Sequence, residues 1–128
     1  MSMVAGTTPT NQLGQTGTFN TSLTVNFTAP QTATFGPSSF SFPSDTWSFP
    51  GGTTPIQIRA GQGAFIDQVT TGTCSGSTCL TSTPAVLGKT GIFMGPAGDH
   101  LGVAFSARTT SGPTAHAQTV KIFTTSPF

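Results

Sequence analysis

Residues Gly91–Ala107 read G-I-F-M-G-P-A-G-D-H-L-G-V-A-F-S-A, two short apolar runs on either side of a Gly-Pro-Ala-Gly-Asp turn. In the second run Leu101, Val103, Phe105 and Ala107 fall on alternate positions, with Gly102, Ala104, Ser106 and Arg108 between them. A period of two is the pattern of a strand with one buried face. Pro96 fixes φ at the turn, Gly98 supplies a backbone with positive φ, and Asp99 caps the turn by bonding nearby amides. Gly91 and Gly95 flank Phe93, where a missing side chain lets the backbone approach a neighbour or turn a barrel corner. Gly102 is expected to leave room for a large side chain across the barrel, Phe93 or Trp47.

The same alternation extends outward. Phe19, Leu23, Val25 and Phe27 alternate with polar residues and predict a half-buried strand ended by Pro30. Thr32–Phe35 is placed to pair back on it. Ser39–Phe42 and Thr46–Phe49 alternate small polar residues with aromatics, bounded by Pro43, Pro50 and Gly51-Gly52. Ile56, Ile58 and Ala60 begin another strand, Gly61 and Gly63 break it, and Ala64–Thr71 follows. The last three strands are expected at 87–95, 101–108 and 117–123. Residues 1–16 carry almost no apolar pattern and read as a flexible arm or linker, with a β-domain over 17–124 and a tail over 125–128.

Composition agrees. The chain has 128 residues, eleven Phe and one Trp, no Glu, and only 5% charged residues. Thr and Phe suit pleated sheets, and Gly and Pro suit turns; no segment has apolar spacing long enough for a stable helix. The expected fold is all-β, a single eight-stranded antiparallel β-barrel, with a β-sandwich as the alternative. Closure removes sheet edges that so few charges would guard poorly, and the many Phe favour a filled interior over a ligand cavity.

Charge and motif content narrow the function. Arg59, Lys89, Arg108 and Lys121 are scattered, which gives no basic stripe for nucleic acid. No run is long enough to span a bilayer as a helix. Asp45, Asp67 and Asp99 are the only acids, and neither a nucleophile–base set nor a paired-carboxylate set is recognisable. A non-enzymatic role without a cofactor is therefore expected. His100 and His116 are candidate metal or haem ligands, but their setting reads as surface turns. Cys74 and Cys79, in C-S-G-S-T-C, read as a hairpin disulfide made in an oxidising compartment; two free thiols and a metal site are the alternatives, and only the two histidines offer further ligands. The opening Met1-Ser2-Met3-Val4 has no signal-peptide pattern. A cysteine loop without an export signal suggests a domain taken from a longer exported protein. Phe40, Phe42, Trp47 and Phe49 form the candidate contact surface, an aromatic patch in a Pro-bounded segment.

Over roughly residues 17–124 the chain resembles the transferrin-binding protein B-like β-barrel domain of bacterial surface lipoproteins, also found as the C-terminal domain of FecR-domain proteins. Three parts carry the resemblance: the opening strand T-F-N-T-S-L-T-V-N-F, the cysteine hairpin Gly72–Cys79, and a signature formed by Gly91, Phe93, Gly95, Pro96, Ala97, Gly102 and Phe105. The chain departs from the family where Ala97-Gly98 stands in place of the more usual Ala-bearing pair, and in its Pro- and Phe-rich segment 37–55. The resemblance implies a periplasmic or cell-surface module that binds a protein or supports a domain that does. A self-assembling structural subunit, in a filament or virion, and a small-ligand or haem carrier are the alternatives.

Overall fold

The computed structural model describes residues 2–26, 32–52, 56–57, 64–76, 79, 84–94, 100–109 and 116–124, and among them every regular element is a strand. The twelve strands are β1 (Ser2–Gly6), β2 (Thr10–Asn11), β3 (Thr18–Asn20), β4 (Leu23–Asn26), β5 (Thr32–Phe35), β6 (Ser38–Ser41), β7 (Asp45–Phe49), β8 (Ile56–Gln57), β9 (Ala64–Gly76), β10 (Ala85–Met94), β11 (His100–Thr109) and β12 (His116–Thr124). Every recorded strand pairing is antiparallel.

Several short strands are halves of one interrupted line. β3 and β4 pair with β6 and β5 in a single long hairpin whose register slips by one residue, from Asn20↔Ser39 to Leu23↔Phe35. The extra residue lies at Gly36–Ser38, where the Gly36 amide donates to the Ser22 carbonyl at 2.9 Å. Such a bulge bends a strand and raises its twist. β7 and β8 likewise continue one another against β6 and β5, and β1 and β2 share the free side of β12. The pairings make a nine-stranded and a three-stranded sheet, and counted by line the described residues form eight strands. The sheet curls until its ends meet: Thr10 bridges Thr16, and the Gly17 amide donates to the Pro9 carbonyl at 3.2 Å. The expected all-β fold is observed as a curled, barrel-like antiparallel sheet whose first and second lines touch at one rim through that bridge. Within the expected arm over residues 1–16, Ser2–Gly6 and Thr10–Asn11 instead pair with β12 as part of the wall. The apolar pattern there is poor because β1 and β2 are held mainly by backbone pairing to β12 and by a polar turn, signals that side-chain periodicity does not carry.

Alternation sets the inside. Leu101, Val103, Phe105, Ala107 and Thr109 of β11 are buried, while Ala104, Ser106 and Arg108 face out. Phe19, Phe40, Trp47 and Cys74 are successive cross-strand partners around the interior. Aromatic rings then fill the lumen. Phe19 lies 4.5 Å from Phe40 and 4.6 Å from Phe105, and Phe105 meets Phe35 edge-on at 5.8 Å. Each ring buried this way contributes about 1.5–3 kcal/mol by removal from water.

The glycine expectations divide. Gly91 is buried, and a Cβ on it would run into the Phe65 ring, so the absent side chain makes the close approach read from the sequence. Gly102 does not face the interior. It lies on the outer wall between Ile92 and Ile122, because the alternation that buries Leu101 and Val103 turns it outward. The β10 backbone pairs Phe93 with Leu101. Gly95, Pro96, Ala97, Gly98 and Asp99 lie outside the described residues, as do Phe27, Pro30, Ile58, Ala60, Gly61, Gly63 and residues 125–128.

Candidate functional site

Phe40, Phe42, Trp47 and Phe49 do not form a contact surface. All four are buried, Phe40 and Trp47 completely. The alternation of segment 39–49 puts Ser39, Ser41, Thr46 and Ser48 on the opposite side of the wall, so the rings are core. Trp47 stacks near Phe49 with centroids 6.5 Å apart, and its indole Nε1 has no hydrogen-bond partner among the described residues.

The other candidates are dispersed. His100 begins β11 opposite Thr124, whereas His116 begins β12 opposite Arg108, so they sit at opposite ends of the same strand pair. Asp45 pairs with Gly76 at one end of β9, and Asp67 lies nine residues back along that strand. At 3.3 Å per residue that separation is roughly 30 Å, far beyond the carboxylate spacing of a glycosidase. Cys74 and Cys79 are joined in the expected disulfide, with Cα atoms 5.6 Å apart.

Two polar arrangements inside the barrel have no counterpart in the sequence reading. The first is at the closed rim. Asn11 is buried; its Nδ2 donates to Asp45 Oδ1 at 3.2 Å and to Gln15 Oε1 at 2.9 Å, and its Oδ1 accepts from the amides of Leu13 and Gln15. Gln15 Nε2 in turn donates to Ser44 Oγ at 2.8 Å. This network plugs the rim and ties the β2–β3 turn to the β6–β7 turn.

The second is in the wall. Lys89 is only 2% exposed, between Asp67 and Phe105 in register. Its Nζ lies 3.6 Å from Asp67 Oδ2 and 4.4 Å from the centroid of the Phe35 ring. Burial pushes the ammonium below its ordinary pKa of 10.5, against the opposing pull of the Asp67 carboxylate. The cation–π contact with Phe35 stabilises the charged form.

The outer wall of β9–β12 has a different character. Ile66, Thr90, Ala104 and Val120 are successive cross-strand partners. Beside them run Ile92, Gly102, Ile122 and Ala5. Neither row holds a charge. Ile66 is 82% exposed, Ile92 56% and Val120 45%. Next to Val120 a groove of about 410 Å³ runs past Thr7, Thr10, Ala104, Ser106 and Gln118. The sequence carried a signal for this face, namely isoleucine and valine at the outward positions of strands whose inward positions were already apolar.

Together these features define an all-β, barrel-like antiparallel sheet with an aromatic interior, a polar network at one rim and an uncharged apolar outer face. No family model matches the chain, and neither the curated proteins nor the solved structures contain a match to it.

Proposed function

We propose that the chain is a non-enzymatic protein-binding module that docks a folded partner on the outer wall of β9–β12. The observation that carries this reading is the pair of uncharged rows containing Ile66, Ile92 and Val120, which leave large aliphatic side chains in water. Contiguous exposed apolar surface of this kind marks interaction sites. Its lack of charge calls for a partner surface that is likewise uncharged, since a charged group buried there would lack a counter-ion. The aromatic interior argues against a small-ligand carrier. The Cys74–Cys79 bond supports an exported, periplasmic or cell-surface setting. The eight-line, barrel-like antiparallel sheet and the cysteine hairpin support the proposed kinship with transferrin-binding protein B-like barrels and FecR-associated domains.

A photoreactive residue at position 66 of the full chain tests the proposal, with one at the exposed Thr46 of β7 as the control. The expected result is one heteromeric adduct from position 66, lost on adding Ile92→Lys and Val120→Lys, with far-UV circular dichroism unchanged. Equal labelling from both positions overturns the docking face. An adduct of twice the chain mass replaces the reading with self-assembly of a structural subunit.

A further inference from the structure

The corner beneath the disulfide holds a donor set that the chain order hides. Asp45 comes from the start of β7 and Cys74 from the far end of β9, yet the Asp45 carboxylate and both sulfurs lie within 4.8 Å of one another. Gly76 permits this closeness. It sits opposite Asp45 at a φ of 127°, and a side chain there would strike the Ser44 carbonyl and the Asp45 backbone. The Cys79 amide donates to the Gly76 carbonyl at 3.2 Å, which folds the second sulfur back over the strand end. Asp45 itself is buried and oriented by Asn11.

We propose that reducing the Cys74–Cys79 bond converts this corner into a binding site for a thiophilic divalent cation of the Zn²⁺ type, with both thiolates and the Asp45 carboxylate as protein ligands. A dithiol reductant supplies two electrons and two protons. Its own sulfurs join in a disulfide, and Cys74 and Cys79 become thiols. The cation then displaces both thiol protons to solvent. Zinc binds thiolate at about 2.3 Å and carboxylate at about 2.0–2.2 Å, so donors sharing one ion lie roughly 3.5–3.8 Å apart by tetrahedral geometry. Since the donors lie within 4.8 Å of one another, the carboxylate–sulfur distances contract by about 1.3 Å at most once the sulfurs separate. Two thiolates with a carboxylate select a soft or borderline metal over Ca²⁺ or Mg²⁺. The same three groups repel one another as anions, and a divalent cation removes that repulsion. Asn11 serves as the outer partner that fixes the carboxylate. With three protein ligands, one tetrahedral position stays open to solvent.

The test uses the full chain, reduced with dithiothreitol, desalted without oxygen and titrated with Co²⁺ as the spectroscopic probe. One cobalt per chain is expected, with thiolate-to-cobalt absorption in the near ultraviolet and tetrahedral bands in the visible, all abolished by Zn²⁺. The oxidised chain and the Cys74→Ser/Cys79→Ser variant are expected to show none of these bands. Asp45→Asn is expected to weaken binding by about tenfold or more. Zinc-edge absorption on the unaltered reduced chain keeps the proposal testable where that variant fails to fold: two sulfur and at least one carboxylate oxygen neighbour are expected. Absence of thiolate–cobalt bands, undiminished affinity in Asp45→Asn, or a four-sulfur shell from two chains overturns the site.

Discussion

The closed rim and the wall at Lys89 each bury an ionisable side chain, and they do it differently. At the rim the Asp45 carboxylate receives Asn11, whose four polar contacts also bind Gln15 and the Leu13 amide. At the wall the Lys89 ammonium has one carboxylate at 3.6 Å and the face of Phe35. The rim charge is part of the hydrogen-bonded network that joins two turns. The wall charge stands among aromatic rings, where desolvation outweighs its counter-ion. Burial alone therefore says little about what a charged group contributes; the number and geometry of its partners decide it.

The largest effect that sharpens this contrast is expected at the rim. Asn11→Ala leaves Asp45 short of a donor and two turn amides short of an acceptor, and unsatisfied buried groups cost about 1–3 kcal/mol each, more when charged. A total near 3 kcal/mol is expected in urea unfolding. A loss under about 1 kcal/mol would show that the network plugs the rim without supporting it.

A smaller effect is expected at the wall, and it differs between the two partners. Asp67→Ala strips Lys89 of its counter-ion, but Asp67 is about one-third exposed, so solvent screens the pair and the loss is expected to be about 1–2 kcal/mol. Lys89→Met replaces the buried amine with an apolar chain of similar length and is expected to change stability by less than about 1 kcal/mol, or to raise it. Equal, large losses from both would put the wall in the same class as the rim.

The difference between the two regions also explains what the sequence made legible. The wall was readable. Alternation gave the strand at 101–108, the pairing of Thr32–Phe35 with the first strand, and the eight-line barrel-like sheet, because a period of two follows directly from the pleat. Applied consistently it would also have turned Gly102 outward and the rings of Phe40, Trp47 and Phe49 inward, since their polar neighbours Ser39, Ser41, Thr46 and Ser48 needed the solvent side. The rim was not readable. Asn11 and Gln15, Ser44 and Asp45, and Cys74 come from three separate stretches of the chain, and none stands in an apolar alternation that would announce the contact before the fold brings them together. Lys89 was counted among the scattered cations, although its place two residues after Leu87 and two before Gly91 put it on the buried side.

The smallest effect expected is a pH dependence confined to Lys89. The ammonium has a folded pKa below 10.5, with burial as the main cause. Between the folded value and 10.5 the unfolded chain holds the proton that the folded chain has already released. Stability rises with pH wherever the unfolded state binds more protons, so the urea midpoint is expected to climb as pH approaches 10.5 and then to level off. The alkaline range is clear for this measurement, since the chain has no tyrosine and both cysteines are bonded. Lys89→Met removes the titrating group and is expected to flatten the rise. A rise of equal size in that variant would assign the effect to another amine and leave the wall without the desolvated charge that sets it apart from the rim.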